Sequence, residues 1–236
     1  MDRRAARARA RAGATAAGSA RRDPAAPPGP GPDRRSTMSP RRALIERVTR
    51  ETRITASLTA PEDAPAPSKV RTPLPFFTHM LEALAKHGAM ALELDAEGDI
   101  EVDGHHTVED TGLVLGAALD QALGDRAGIH RYGCFSLAMD ETLVDAAIDL
   151  GGRPYLVYDL PVLSGRWIGT FDCDLVKEFF GALVVSARMN LHLHLRAGGN
   201  CHHVVEAAFK AFARALRMAC RPDGSITDVP STKGSL

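Results

Sequence analysis

The feature that most constrains this chain is a repeat. A segment of helical periodicity, an alternating segment, a glycine-containing turn, a His-His-x-x-Glu cluster and a second helical segment follow one another in 77–123 and again in 175–218. In the first copy Met80, Leu81, Leu84 and Ala85 recur at helical spacing and stop at Gly88, and Met90, Leu92 and Leu94 then alternate. The cluster Asp103-Gly104-His105-His106-Thr107-Val108-Glu109-Asp110 leads into a helix from Val108 to Leu123, closed by Gly124. In the second copy Leu175–Ala187 is helical, Leu191, Leu193 and Leu195 alternate, and Gly198-Gly199-Asn200 turns the chain. Asn200-Cys201-His202-His203-Val204-Val205-Glu206 then opens a helix over Val204–Met218, with Val205, Phe209, Phe212 and Leu216 as its apolar stripe. The predicted fold is α+β: two similar α/β halves, 43–130 and 131–236, each a small mixed sheet with helices packed on one face.

The flanking segments read more simply. Alternation of Val48, Ile54, Ala56 and Leu58 predicts one strand, and the proline-rich stretch Pro61–Pro75 predicts a loop. Ile100 and Val102 predict a further strand after a turn at Gly98-Asp99. Phe135–Met139, Leu143–Leu150 and Tyr155–Tyr158 predict three more, broken at Gly151-Gly152-Arg153-Pro154.

Composition bounds the partners. Residues 1–37 are Ala, Arg, Gly and Pro with almost no large apolar side chain, which predicts a disordered tail. Met38 directly precedes the first recognisable segment, so an upstream mis-assigned start accounts for the tail as well as a targeting role does. That tail holds nine arginines against three aspartates while the whole chain is formally neutral, so the rest is acidic and carries no basic stripe for nucleic acid. No stretch approaches the roughly 18 apolar residues that a membrane span needs. Cys134, Cys173, Cys201 and Cys220 fall at irregular spacings that do not suggest a disulfide framework, so the expected compartment is the reducing cytoplasm.

The chemistry resides in the paired clusters. Consecutive helical side chains diverge by about 100°, so His105 and His106 do not readily grip one ion, whereas His106 and Glu109 are predicted to share a face. Adjacent histidines therefore suggest two metals. Imidazoles with a carboxylate favour Mn, Fe, Co, Ni or Zn over Mg or Ca. The competing reading of one such cluster is a helix cap stabilised by the dipole, but two clusters at equivalent repeat positions favour metal. Neither a Gly-x-Ser-x-Gly elbow, a His-Glu-x-x-His motif nor a P-loop occurs. Two classes remain as alternatives, a two-metal phosphoester hydrolase and a non-catalytic metal-binding assembly protein.

Five segments together resemble imidazoleglycerol-phosphate dehydratases over about residues 43–236. They are Asp103–Asp110; Phe76-Phe77-Thr78-His79-Met80-Leu81 with His87-Gly88; Asn200–Glu206; Phe209-Lys210-Ala211-Phe212-Ala213-Arg214-Ala215-Leu216; and Pro230-Ser231-Thr232-Lys233-Gly234. The resemblance implies a hydro-lyase of histidine biosynthesis that converts imidazole glycerol phosphate to imidazole acetol phosphate. It implies two Mn²⁺ per active site, shared between subunits of a homo-oligomeric shell of 24 chains. The implied ligands are His79, His105, His106, Glu109, Glu178, His202, His203 and Glu206, where Glu178 stands in place of a common family histidine. Glu51 is the implied acid/base, with Glu206 as alternative and His106 beside them in the catalytic set. Implied substrate contacts come from Glu51, His79, His87, His105, Glu109, His202 and Thr232, where Thr232 stands in place of a family serine, and phosphate contacts from Arg131, Arg153, Lys210, Ser231 and Lys233.

Overall fold

The computed structural model describes residues 41–61, 68–226 and 228–234, so the Arg-rich segment 1–37 lies outside the described residues. The first half runs β1 (Arg42–Val48), β2 (Thr52–Thr59), β3 (Lys69–Arg71), α1 (Pro75–Gly88), β4 (Ala91–Gly98) and α2 (His105–Leu123). The second runs β5 (Tyr132–Met139), β6 (Thr142–Asp149), β7 (Tyr155–Asp159), β8 (Trp167–Ile168), β9 (Phe171–Asp172), α3 (Leu175–Ala187), β10 (Asn190–Ala197) and α4 (Cys201–Cys220). Sheet orders β1-β2-β4-β3 and β5-β6-β10-β7 are the same topology written twice, with the third strand of each half added parallel at the edge. Among the described residues the two-stranded β8-β9 ribbon has no counterpart in the first half.

The repeat is reproduced in backbone detail. Helices α1 and α3 both stop on a residue in the left-handed conformation, Ala89 (φ 50°) and Arg188 (φ 49°), whose N–H returns to the helix. Within each half the last helix covers the sheet, α2 lying on β1 and β2 and α4 on β5 and β6. Between halves the helices exchange partners: α1 packs on α4 and α2 on α3. The α2/α3 contact is backbone on backbone. A Cβ at Gly112 would sit 2.6 Å from the Phe179 carbonyl oxygen and one at Gly116 2.5 Å from that of Leu183, so glycine at both positions sets the helix separation. Phe77, Phe179, Phe180, Phe209 and Phe212 are buried and stack in one cluster drawn from α1, α3 and α4, which makes a single core of the two halves.

Three local expectations are corrected. The single strand expected around Val48–Leu58 is a hairpin, because Thr49 Oγ1 accepts from the N–H groups of Glu51 and Thr52 and closes a turn that lacks the usual turn residues. The Pro61–Pro75 stretch contains β3, since an edge strand tolerates nearby prolines. Ile100 and Val102 lie in turns, 44% and 68% exposed, and their alternation carries no strand.

Candidate active site

Each His-His-x-x-Glu cluster occupies the first turn of the last helix of its half. The Asp103 side chain accepts from the His105 N–H at 2.7 Å, and the Asn200 side chain accepts from the His202 N–H at 3.0 Å. These Asx turns start the helix at the histidines, a few residues earlier than the apolar periodicity alone suggests. Paired rings diverge as the helical rotation requires, His105 against His106 at 90° with centroids 6.1 Å apart, His202 against His203 at 86° and 6.2 Å.

The two clusters follow the same plan. The first histidine faces the glutamate one turn on, with Nε2 to carboxylate distances of 3.6 Å for His105–Glu109 and 3.1 Å for His202–Glu206. This corrects the expected His106–Glu109 pairing: the i, i+4 partner is met, and the second histidine turns away. That second histidine gives its Nδ1 to a carboxylate outside the motif. His106 meets both oxygens of Asp99 at 3.1 Å, and His203 meets Glu141 at 2.8 Å. These contacts raise the histidine pKa values, and His203 holds the Glu141 carboxyl down at about 2. Asp99 and Glu141 escaped the motif reading because they lie outside both clusters in sequence.

Around Glu206 the structure gathers a compact group. His79 Nε2 lies 3.9 Å from its carboxylate, and Lys210 Nζ donates to it at 2.6 Å. Burial works to raise the Glu206 carboxyl, but the Lys210 ammonium, His202 and His79 outweigh it and the net shift is downward. His87 is lowered by burial and by the Lys210 charge. Glu178 occupies the position in α3 that His79 holds in α1, each ten residues before the left-handed cap. Its side chain faces a groove lined by Tyr158, Leu163, Ser164 and Lys177. Glu51 sits in the β1–β2 turn, exposed, with its charge felt at His106.

The basic residues are differently disposed. Arg131 grips Asp149 with two nitrogens, at 2.6 and 3.0 Å, and donates with the third to the Pro230 carbonyl at 2.8 Å. It thereby fastens the tail segment whose Ser231, Thr232 and Lys233 are half-buried to exposed. Arg153 is exposed in the turn before β7 and is not drawn to the other cations by any contact among the described residues. Among the described residues no three His, Cys, Asp or Glu side chains converge as a complete metal sphere. The donor types nonetheless suit a divalent transition metal: each helix start presents two imidazoles and a carboxylate, with one imidazole nitrogen already committed to an outer carboxylate.

The profile of imidazoleglycerol-phosphate dehydratases matches residues 72–216, spanning both clusters. The chain belongs to the imidazoleglycerol-phosphate dehydratase family. It is 52% identical over 196 residues to the dehydratase of Geobacter metallireducens, covering 83% of this chain and 99% of that protein. It is 49% identical over 203 residues to that of Anaeromyxobacter dehalogenans, covering 86% of this chain and 95% of that protein. The crystal structure of the Staphylococcus aureus dehydratase superposes with a TM-score of 0.68 at 38% identity, over 76% of this chain and 98% of that one. The Pyrococcus furiosus dehydratase, solved in complex with (S)-C348, superposes with a TM-score of 0.70 at 32% identity, over 81% and 100%. Membership makes the protein an enzyme of the hydro-lyase class acting in histidine biosynthesis.

Proposed function

We propose that the chain eliminates water from imidazole glycerol phosphate to give imidazole acetol phosphate, with two Mn²⁺ per site held between neighbouring chains of a homo-oligomer. The observation that carries this reading is the pair of matched but incomplete donor clusters: each helix start offers part of a coordination sphere that a second chain would complete. His79, His105, His106, Glu109, Glu178, His202, His203 and Glu206 are the proposed ligands, in two sets that mirror the two halves. Closed assembly of 24 chains and a cytoplasmic location belong to the same proposal; among the described residues no helix is long and apolar enough to cross a membrane.

Bound metal would supply Lewis acidity and a template for the substrate ring, whose proton to be lost is not acidified by any carbonyl. The protein's own groups do the rest. Glu51 stands on a tight turn beside His106, and its carboxylate takes no hydrogen bond from a described residue, which suits a group that must accept the carbon-bound proton. Glu206, ionised by Lys210 and His202, is the alternative base. Arg153, Lys210, Ser231 and Lys233 are the proposed phosphate contacts, with Thr232 a further substrate contact and Arg131 fixing the tail through Pro230. Orienting the ring by its distant phosphate converts binding into alignment of the reacting carbon.

The test is a dehydratase assay on metal-stripped protein with and without Mn²⁺, following imidazole acetol phosphate. Turnover restored by metal is the expected result; a folded, Mn-loaded oligomer without turnover would overturn the proposal.

A further inference from the structure

The internal repeat makes the two helix starts directly comparable, and the comparison exposes an asymmetry. Strand registers align Thr49-Arg50-Glu51-Thr52, the β1–β2 turn, with Met139-Asp140-Glu141-Thr142, the β5–β6 turn. Glu51 and Glu141 are therefore equivalent positions in the two halves. Glu141 gives its carboxylate to His203 Nδ1 at 2.8 Å. Glu51 does not do the same for His106, because Asp99, from the connection after β4, already occupies that nitrogen with both oxygens at 3.1 Å. In the second half the corresponding connection is shorter, and Gly198 and Gly199 stand there with no carboxylate to offer.

We propose that Asp99 and Glu141 are positioning residues which hold His106 and His203 with a proton on Nδ1 and the Nε2 lone pair free for a metal, and that this division of labour is what leaves Glu51 unengaged. The assignment rests on the metal-dependent dehydratase reading. A carboxylate on one imidazole nitrogen fixes the tautomer, stops the ring from flipping and makes the opposite nitrogen a stronger donor. At His203 the only described carboxylate near Nε2 besides its own helix is Asp140 at 3.8 Å, beyond hydrogen-bond length, so Nδ1 is the anchored nitrogen. Two turns of identical place in the repeat thus carry glutamates of different duty: one sets a ligand, the other is released from that task by an aspartate on a neighbouring loop.

The experiment titrates Mn²⁺ into metal-stripped, full-length protein and reads free Mn²⁺ by its electron paramagnetic resonance signal, with circular dichroism and light scattering recorded on each variant. Glu141→Ala and Asp99→Ala should each weaken Mn²⁺ binding by about 10- to 100-fold while fold and mass are retained, with Glu141→Gln and Asp99→Asn losing less because their amide oxygens still accept. Glu51→Gln should bind Mn²⁺ like the unmodified protein while turning over more slowly. Unchanged affinity in Glu141→Ala and Asp99→Ala overturns the assignment alone, as does an equal loss in Glu51→Gln. Failure of the unmodified protein to bind Mn²⁺ removes the metal reading of the function and this assignment with it.

Discussion

Arg126 shows how much one side chain can hold. It lies in the connection between the halves, is 1% exposed, and donates to the carbonyls of Leu150, Ala187 and Arg188 and to the Asp120 carboxylate. Those carbonyls end β6 and α3, so a residue following the first half caps elements of the second. Truncation would leave buried acceptors without a donor. We expect Arg126→Ala to lower stability by about 3 kcal/mol, read from the midpoint of urea unfolding, with Arg126→Lys recovering part of it. Thiol chemistry gives a second check at this scale. Cys173 is buried and its thiol is pushed up to about 12 by burial, whereas Cys134 is exposed. A thiol reagent at about pH 8 should leave Cys173 and Cys220 untouched in the native protein and reach them only after unfolding.

Among the elements, the α2/α3 contact is where ordinary propensity gives the wrong sign. Alanine is better than glycine in a helix by about 1 kcal/mol, yet a methyl at Gly112 or Gly116 meets a backbone carbonyl that no rotamer can move. Gly112→Ala and Gly116→Ala should each lower the melting temperature, at a cost of about 1–3 kcal/mol for forcing the helices apart. Controls at Gly181, which has open space around its Cβ position, should be neutral or stabilising. The same contrast separates what could be read from sequence. The long helices were legible because their periodicity reflects burial, and α3 begins and ends where the pattern places it. The β1–β2 hairpin was not, since its turn is held by Thr49 Oγ1 and not by glycine or proline. Ile100 and Val102 misled for the converse reason, two apolar residues alternating by accident on an exposed turn.

For the whole molecule, the site was legible in kind but not in arrangement. Sequence places histidines and glutamates in matched clusters, but pairing is decided in space: His105 and not His106 meets Glu109, and Asp99 and Glu141 arrive from other loops. The proposed sharing of a metal sphere between chains makes a prediction of its own. Dilution that breaks up the assembly should release Mn²⁺ in parallel, so mass by light scattering and bound metal should fall together across one concentration range. Constant stoichiometry in a dissociated monomer would contradict it.

The β8-β9 ribbon acquires meaning at this scale. The two halves share one sheet topology, β1-β2-β4-β3 against β5-β6-β10-β7, so what differs between them is what a neighbouring chain could read. Among the described residues the ribbon, with Trp167 61% exposed, occurs in the second half alone. In the proposed assembly it would be the feature by which a neighbouring chain distinguishes the second half from the first.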